Sequence, residues 1–180
     1  MSNVFGIKKD HSSFSWSGLG SIKEGRGNLG EEMPVLVYRL MQFTMYDVLN
    51  KMYSREQANT IFYKSGHLAG TEFARNALDL KLGFDNFVSH LQITLEELKV
   101  GILRVESINS DSSEIILTVA EDLDCSGLPI TDETVCIYDE GFIAGILEVY
   151  TNTKYVVKEI DCWASGDRIC RFKCSAEKSR

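Results

Sequence analysis

The apolar residues of this chain change from a helical to an alternating period at Gly101, and that switch restricts the fold more than any other feature. Upstream they recur every three or four positions. Pro34 opens a segment in which Val37, Leu40, Met41, Thr44, Met45, Val48, Leu49 and Met52 follow helical spacing, which predicts an amphipathic helix. Ser54, with Gln57 three residues on, has the form of a capping box. It starts a second long helix whose buried face is predicted at Ala58, Ile61, Phe62, Ser65, Ala69 and Phe73. Asp85 to Val100 gives a third, less regular helical pattern through Phe87, Val88, Leu91, Leu95 and Leu98. Downstream the pattern becomes β-branched and alternating: residues 102–108 and 114–120 flank the turn-prone Asn109-Ser-Asp-Ser-Ser113 and read as a β-hairpin. A loop with Gly127 and Pro129, a helix from about Thr134 to Tyr150, and strands at Tyr155–Ile160 and Ile169–Cys174 complete the chain. The order helices, hairpin, helix, hairpin predicts an α+β fold, an antiparallel sheet with helices packed on it.

The formal net charge of −7, with no basic cluster, argues against a nucleic-acid partner, since that affinity rests on neutralising phosphates. No apolar run approaches the roughly 20 residues that span a bilayer, and Met1 to Lys9 lacks the apolar stretch of a signal peptide, so no membrane partner and a cytoplasmic location are expected. There thiols stay reduced, and five cysteines read as core residues or metal ligands, not a disulfide framework. Gly6, Gly18, Gly20, Gly25, Gly27 and Gly30 punctuate the first thirty residues, which read as a short hairpin or extended arm. The run Gly25-Arg-Gly-Asn-Leu-Gly30 lacks the Gly-Lys-Ser/Thr ending of a phosphate loop and reads as a simple loop. The expected organisation is a flexible arm at 1–13, one domain at 14–174 and a disordered tail at 175–180.

Candidate chemistry concentrates in the last third, where the spacing is Cys136, Glu159, Cys162, Cys170. Glu159 and Cys162 close one predicted strand and Cys170 opens the next, with Gly166 and Asp167 in the turn, so two thiolates and a carboxylate can point into one pocket that Cys136 completes. Thiolates with a carboxylate suit zinc, and four protein ligands would make the site structural. The same cysteines also read as small core hydrophobes, since no Cys-x-x-Cys pair is present. Cys174, four positions past Cys170 on the same strand face, is an alternative ligand, and Cys125 reads as a bystander in a loop. Two helices carry small residues four apart, Gly66 with Gly70 and Gly141 with Gly145. Each such glycine costs about 1 kcal/mol against alanine, so close helix approach, within the subunit or across a homodimer, is expected to offset it.

The stretches Cys136-Ile-Tyr-Asp-Glu-Gly-Phe-Ile-Ala-Gly-Ile-Leu-Glu148 and Val157-Lys-Glu-Ile-Asp-Cys-Trp-Ala-Ser-Gly-Asp-Arg-Ile-Cys-Arg-Phe172 resemble the signature of the 4-vinyl reductase domain. The upstream segments Val37 to Met41 and Gly66 to Gly70 are also similar, so the resemblance covers roughly residues 14–174. That family is similar in fold to the sensor domains of activators of aromatic catabolism and to subunits of the Golgi transport-particle complex. The resemblance implies a small antiparallel sheet packed against several helices around an apolar pocket. It also implies a zinc ion held by three cysteines and a glutamate, whose motif positions are Cys136, Glu159, Cys162 and Cys170. The aromatic sensors orient a phenol with a histidine and a tryptophan, whereas strands 102–120 contain no tryptophan, and His90 matches the histidine only. The family name implies a reductase handling a bacteriochlorophyll precursor, yet the chain has no nicotinamide or flavin motif.

Three histidines without a nucleophile motif make no catalytic constellation, and His67 reads as a packing residue. Asp132-Glu133 and Asp139-Glu140 read as helix N-terminal charges. Trp163 and Phe142 are expected to shield the metal site and, with His90 and Phe87, to line the pocket. The reading is therefore a zinc-containing binding module for an apolar or aromatic small molecule, sensor or carrier, with no catalytic residues and with homodimers formed through the small-residue helix faces. An accessory factor or reductase acting on a tetrapyrrole vinyl group and a ligand-free scaffold subunit are the alternatives.

Overall fold

A computed structural model describes residues 14–109 and 112–177. Contacts divide the chain into two compact units, one up to Met33 and one from Pro34 onward. The described part of the first holds a single 3-10 turn at Trp16–Leu19 and a one-turn helix, α1, at Ile22–Gly25. No hairpin forms among these residues, a correction to the expected arm. Gly20 and Gly30 take positive φ as turn residues, but the segments between them are too short and polar to pair as strands. Residues 1–13 and 178–180, where an arm and the last half of a tail were expected, lie outside the described residues.

The second unit holds helices α2 (Val35–Met52), α3 (Arg55–Ala77), α4 (Phe84–Glu97) and α5 (Ile137–Thr151), and strands β1 (Ile102–Ile108), β2 (Glu114–Ala120), β3 (Tyr155–Asp161) and β4 (Cys170–Ala176). The fold is α+β, and the last strand runs two residues past the expected start of the tail. All pairings are antiparallel in the order β1-β2-β4-β3. One face of the sheet is apolar by alternation: Ile115, Leu117 and Val119 of β2 stand opposite Cys174, Phe172 and Cys170 of β4, all buried.

The Ser54 hydroxyl accepts the N–H of Gln57, capping α3 as the sequence predicts. Its buried face, however, is Ala58, Phe62, Gly66, Gly70, Phe73 and Ala74, while Ile61 and Ser65 are exposed. The glycines explain the shift, because they admit α5. A Cβ on Gly66 or Gly70 would overlap the carbonyl of Tyr138 or Phe142, and one on Gly141 or Gly145 would overlap that of Tyr63 or His67. The small-residue faces are thus consumed inside the chain, which corrects their assignment to a homodimer interface. The crossing is latched at one side by His67 Nε2 and Glu148 Oε2, 2.9 Å apart.

The α2 helix forms where its period predicts, but its apolar stripe points outward. Leu36, Leu40, Met41, Met45, Val48 and Met52 are exposed and Gln42 is buried. The inner face is polar because it grips a loop: the Tyr38 hydroxyl and Gln42 Nε2 donate to the Asp124 carboxylate at 2.7 and 2.6 Å, and Arg39 donates to the carbonyls of Leu123 and Ser126.

Candidate metal centre

Four segments converge at the ends of β2, β3 and β4 and the start of α5. After β2 the chain turns through Asp122, whose Oδ1 accepts the N–H groups of Asp124 and Cys125 at 2.8 and 3.2 Å. This turn, held from outside by α2, presents the Cys125 thiol. Cys136 immediately precedes α5, where its N–H, an unsatisfied helix-end donor, meets Glu159 Oε2 at 3.0 Å. Glu159 shares the inner face of β3 with Tyr155 and Val157. An irregularity between Glu159 and Asp161 then redirects the strand, so that Cys162 reaches the same point, its N–H held by Ser165 Oγ at 3.0 Å. Cys170 enters from the inner face of β4.

The donor atoms of Cys125, Cys136, Glu159, Cys162 and Cys170 all lie within 4.8 Å of one another, and all five residues are buried. The four positions singled out by spacing and resemblance are together. Cys125 joins them, which corrects its reading as a bystander: its sulfur is 3.0 Å from that of Cys170. Cys174 is buried on the same face but outside the group, its thiol pushed up to about 12 by burial.

Whether this set suits a cation can be judged from its own atoms. A tetrahedral zinc with bonds of about 2.3 Å to sulfur separates its sulfurs by about 3.8 Å, and Cys136 Sγ lies 3.9 Å from both Cys162 Sγ and Cys170 Sγ. Glu159 Oε1 is buried without a hydrogen-bond partner among the described residues, a cost that a coordinated ion removes. Burial pushes the Glu159 carboxyl up to about 8. The Cys162 thiol is lowered, by hydrogen bonds from Cys125 first, while those of Cys136 and Cys170 are raised, chiefly by hydrogen bonding with Cys125. Four thiols and a carboxyl in one dry site cannot all ionise unaided, whereas a dication makes every one of them a stable anion. The residues fit a thiolate-binding divalent metal.

Beside this cluster lies a cavity of about 40 Å³ between α4, the sheet and α5, walled by Leu91, Leu95, Leu103, Leu117, Phe142 and Ile146 among others. Its polar lining is confined to Asp122 and Asp139. Burial, then the charges of Asp124 and Asp122, raise the Asp139 carboxyl well above the usual range, and burial holds Asp122 at about 7. Of the residues expected on a pocket, Phe142 lines this cavity and the other three lie elsewhere. Phe87 is in the core, stacked on Tyr150 at 3.7 Å between ring centroids. His90 Nδ1 accepts the Asp79 N–H, and Trp163 Nε1 donates to the Leu128 carbonyl. Sequence reasoning missed Asp122, which carries no motif, and read Asp139 only as a helix N-terminal charge.

The fold and site define a class: a helix-on-sheet domain that joins a buried thiol-and-carboxylate cluster to an apolar cavity. Residues 115–176 match the V4R domain. The chain is similar to two uncharacterized proteins of Methanocaldococcus jannaschii. MJ1642 is 28% identical over 145 residues, 81% of this chain and 79% of that protein, and MJ0150 is 29% identical over 108 residues, 60% and 61%. Three solved structures share the fold. A vinyl-4-reductase family protein of M. jannaschii has a TM-score of 0.58 at 15% identity, covering 83% of this chain and 85% of that one. The phenol-responsive sensory domain of the transcription activator PoxR with phenol scores 0.59 at 14%, covering 87% and 90%. Subunit 3 of the trafficking protein particle complex from Naegleria fowleri, covalently bound to palmitic acid, scores 0.58 at 14%, covering 81% and 98%.

Proposed function

We propose that this chain is a small-molecule-binding domain, sensor or carrier, for an apolar or aromatic ligand, and that a structural zinc ion held by Cys136, Glu159, Cys162 and Cys170 fixes one end of its binding cavity. The observation that carries this reading is the adjacency of cavity and cluster: Asp122 lines the first and reaches the second, with Oδ1 4.0 Å from Cys136 Sγ. The phenol-bound sensory domain that shares the fold supports it. With four protein donors a zinc ion has no open position for substrate, so the metal ties α5 to the β3–β4 hairpin and does no chemistry. A cavity of 40 Å³ is smaller than the roughly 150 Å³ that holds a benzene. A ligand must therefore displace wall side chains, and the size favours a single ring or short chain over a tetrapyrrole. No helix of the described residues is long and apolar enough to cross a membrane.

Protein purified without added metal should contain one zinc per chain. Removing it with a strong chelator should lower the thermal midpoint by well over 10 °C, since the metal's binding energy is folding energy. Metal-free protein that melts at the same temperature as the zinc form would refute the structural role. Toluene or phenol at millimolar concentration should raise the midpoint of the zinc form, and a midpoint unmoved by any such ligand would refute the binding role.

A further inference from the structure

A second pocket, of about 260 Å³, lies between α2, α3 and the segment that leads into α5, and it shares no lining residue with the cavity beside the metal cluster. Its volume exceeds the roughly 150 Å³ that holds a benzene, so a molecule of one or two rings fits without displacing a wall. Phe43, Tyr46, Phe62, Val135 and Ile137 supply its apolar surface. The walls are held in place. Tyr46 meets Phe62 edge to face, 5.2 Å between ring centroids, and its hydroxyl donates to Asn59 Oδ1 at 2.5 Å. Arg55 donates to both carboxylate oxygens of Glu133, at 3.1 and 2.7 Å, so the two charged groups of the lining offset each other.

Gln42 is the one wall residue whose polar group is left over. It is only 8% exposed, and its Nε2 donates to Asp124 Oδ2 at 2.6 Å, a bond that sets the direction of the amide. Oε1 then has no hydrogen-bond partner among the described residues. A buried amide oxygen that nothing satisfies is costly. Gln42, Tyr46 and Asn50 are four residues apart along α2 and share one face with Phe43, so the helix presents the unmet oxygen and the aromatic wall to the same space.

We infer that this pocket is a ligand site of its own, for a neutral aromatic molecule of one or two rings that carries an N–H or O–H donor. The rings lie among Phe43, Tyr46 and Phe62, and the donor meets Gln42 Oε1. An amide oxygen only accepts hydrogen bonds, so a ring of the same shape without a donor leaves it unmet, and such a difference discriminates strongly. A charged ligand would lose its hydration and find Arg55 and Glu133 already paired with each other.

Indole and benzofuran test this, because they are nearly identical in shape and differ in carrying a ring N–H or a ring oxygen. Each is titrated into isotope-labelled, zinc-loaded protein and followed by two-dimensional NMR. Indole should shift the Gln42 side-chain amide and the backbone amides of Phe43, Phe62 and Thr134, and should bind roughly tenfold more tightly than benzofuran. Gln42→Met, which keeps the length of the side chain and removes the oxygen, should bring indole down to benzofuran's affinity and leave that of benzofuran unchanged. Shifts confined to Leu103, Leu117 and Ile146 would overturn this site and support the binding role of the smaller cavity. No shift with either probe would also overturn it, while the thermal midpoint with toluene or phenol still judges the smaller cavity. Benzofuran matching indole on the unaltered protein would overturn the inference, as would a Gln42→Met protein that keeps the preference. Should Gln42→Met fail to fold, the shifts and the ranking on the unaltered protein decide alone.

Discussion

Glu159 and Cys125 compete for the fourth corner of the metal site, and single substitutions separate them. Glu159 has a buried oxygen that needs a cation, and its other oxygen is already oriented by the Cys136 N–H. Cys125 hangs on a loop and sits 3.0 Å from Cys170, closer than two sulfurs sharing a tetrahedral zinc at about 3.8 Å. Glu159→Gln should therefore reduce bound zinc, read by atomic absorption, far more than Cys125→Ala, which should keep close to one ion per chain. The opposite result would make the centre a four-cysteine site. Three of the four sulfurs were legible because strand ends and a helix start bring Cys136, Cys162 and Cys170 to one place from local pattern alone. Cys125 was not, since its position depends on Arg39, Tyr38 and Gln42 gripping its loop from more than eighty residues away. No local spacing encodes such a contact. An Asp-x-Asp-Cys turn straight after a strand is the only trace of it in the sequence.

At the scale of elements, the α3–α5 crossing is the joint on which the helical layer depends. The glycine pairs were legible as a demand for close approach, but not whether the partner lay within the chain or across a dimer, because a small-residue face reads the same in either case. The structure assigns both faces to each other. Gly141→Ala should thus destabilise the domain at the top of the overpacking range, about 3 kcal/mol, because the methyl group would meet the Tyr63 carbonyl and backbone cannot rotate out of the way as a side chain can. Urea denaturation measures it. Gly25→Ala is the control: its methyl would touch nothing within 4 Å, and the change should be within about 0.5 kcal/mol of neutral. Periodicity located α2 equally well but could not orient it. A hydrophobic stripe says that a helix buries one face against something, and in α2 the face that meets the rest of the domain is the polar one.

That inversion has its consequence for the whole molecule. A helix of 18 residues runs about 27 Å, and α2 presents Leu36, Leu40, Met41, Met45, Val48 and Met52 along it, each half exposed or more. Isolated apolar residues on a surface need no explanation, but a continuous row of this length marks an interaction site. A second copy of the chain is the simplest occupant, because two such stripes packed along their lengths are self-complementary under a twofold axis. The prediction is a homodimer packed through α2 and not through the glycine faces, which are already filled. Sedimentation equilibrium at micromolar concentration should report twice the chain mass. Leu40→Lys combined with Met45→Lys should return the monomer with little change in the unfolding free energy of each chain, since neither side chain packs in the core. A native chain that sediments as a monomer would show that the stripe meets a different partner, and a dimer that survives both lysines would place the interface on another face.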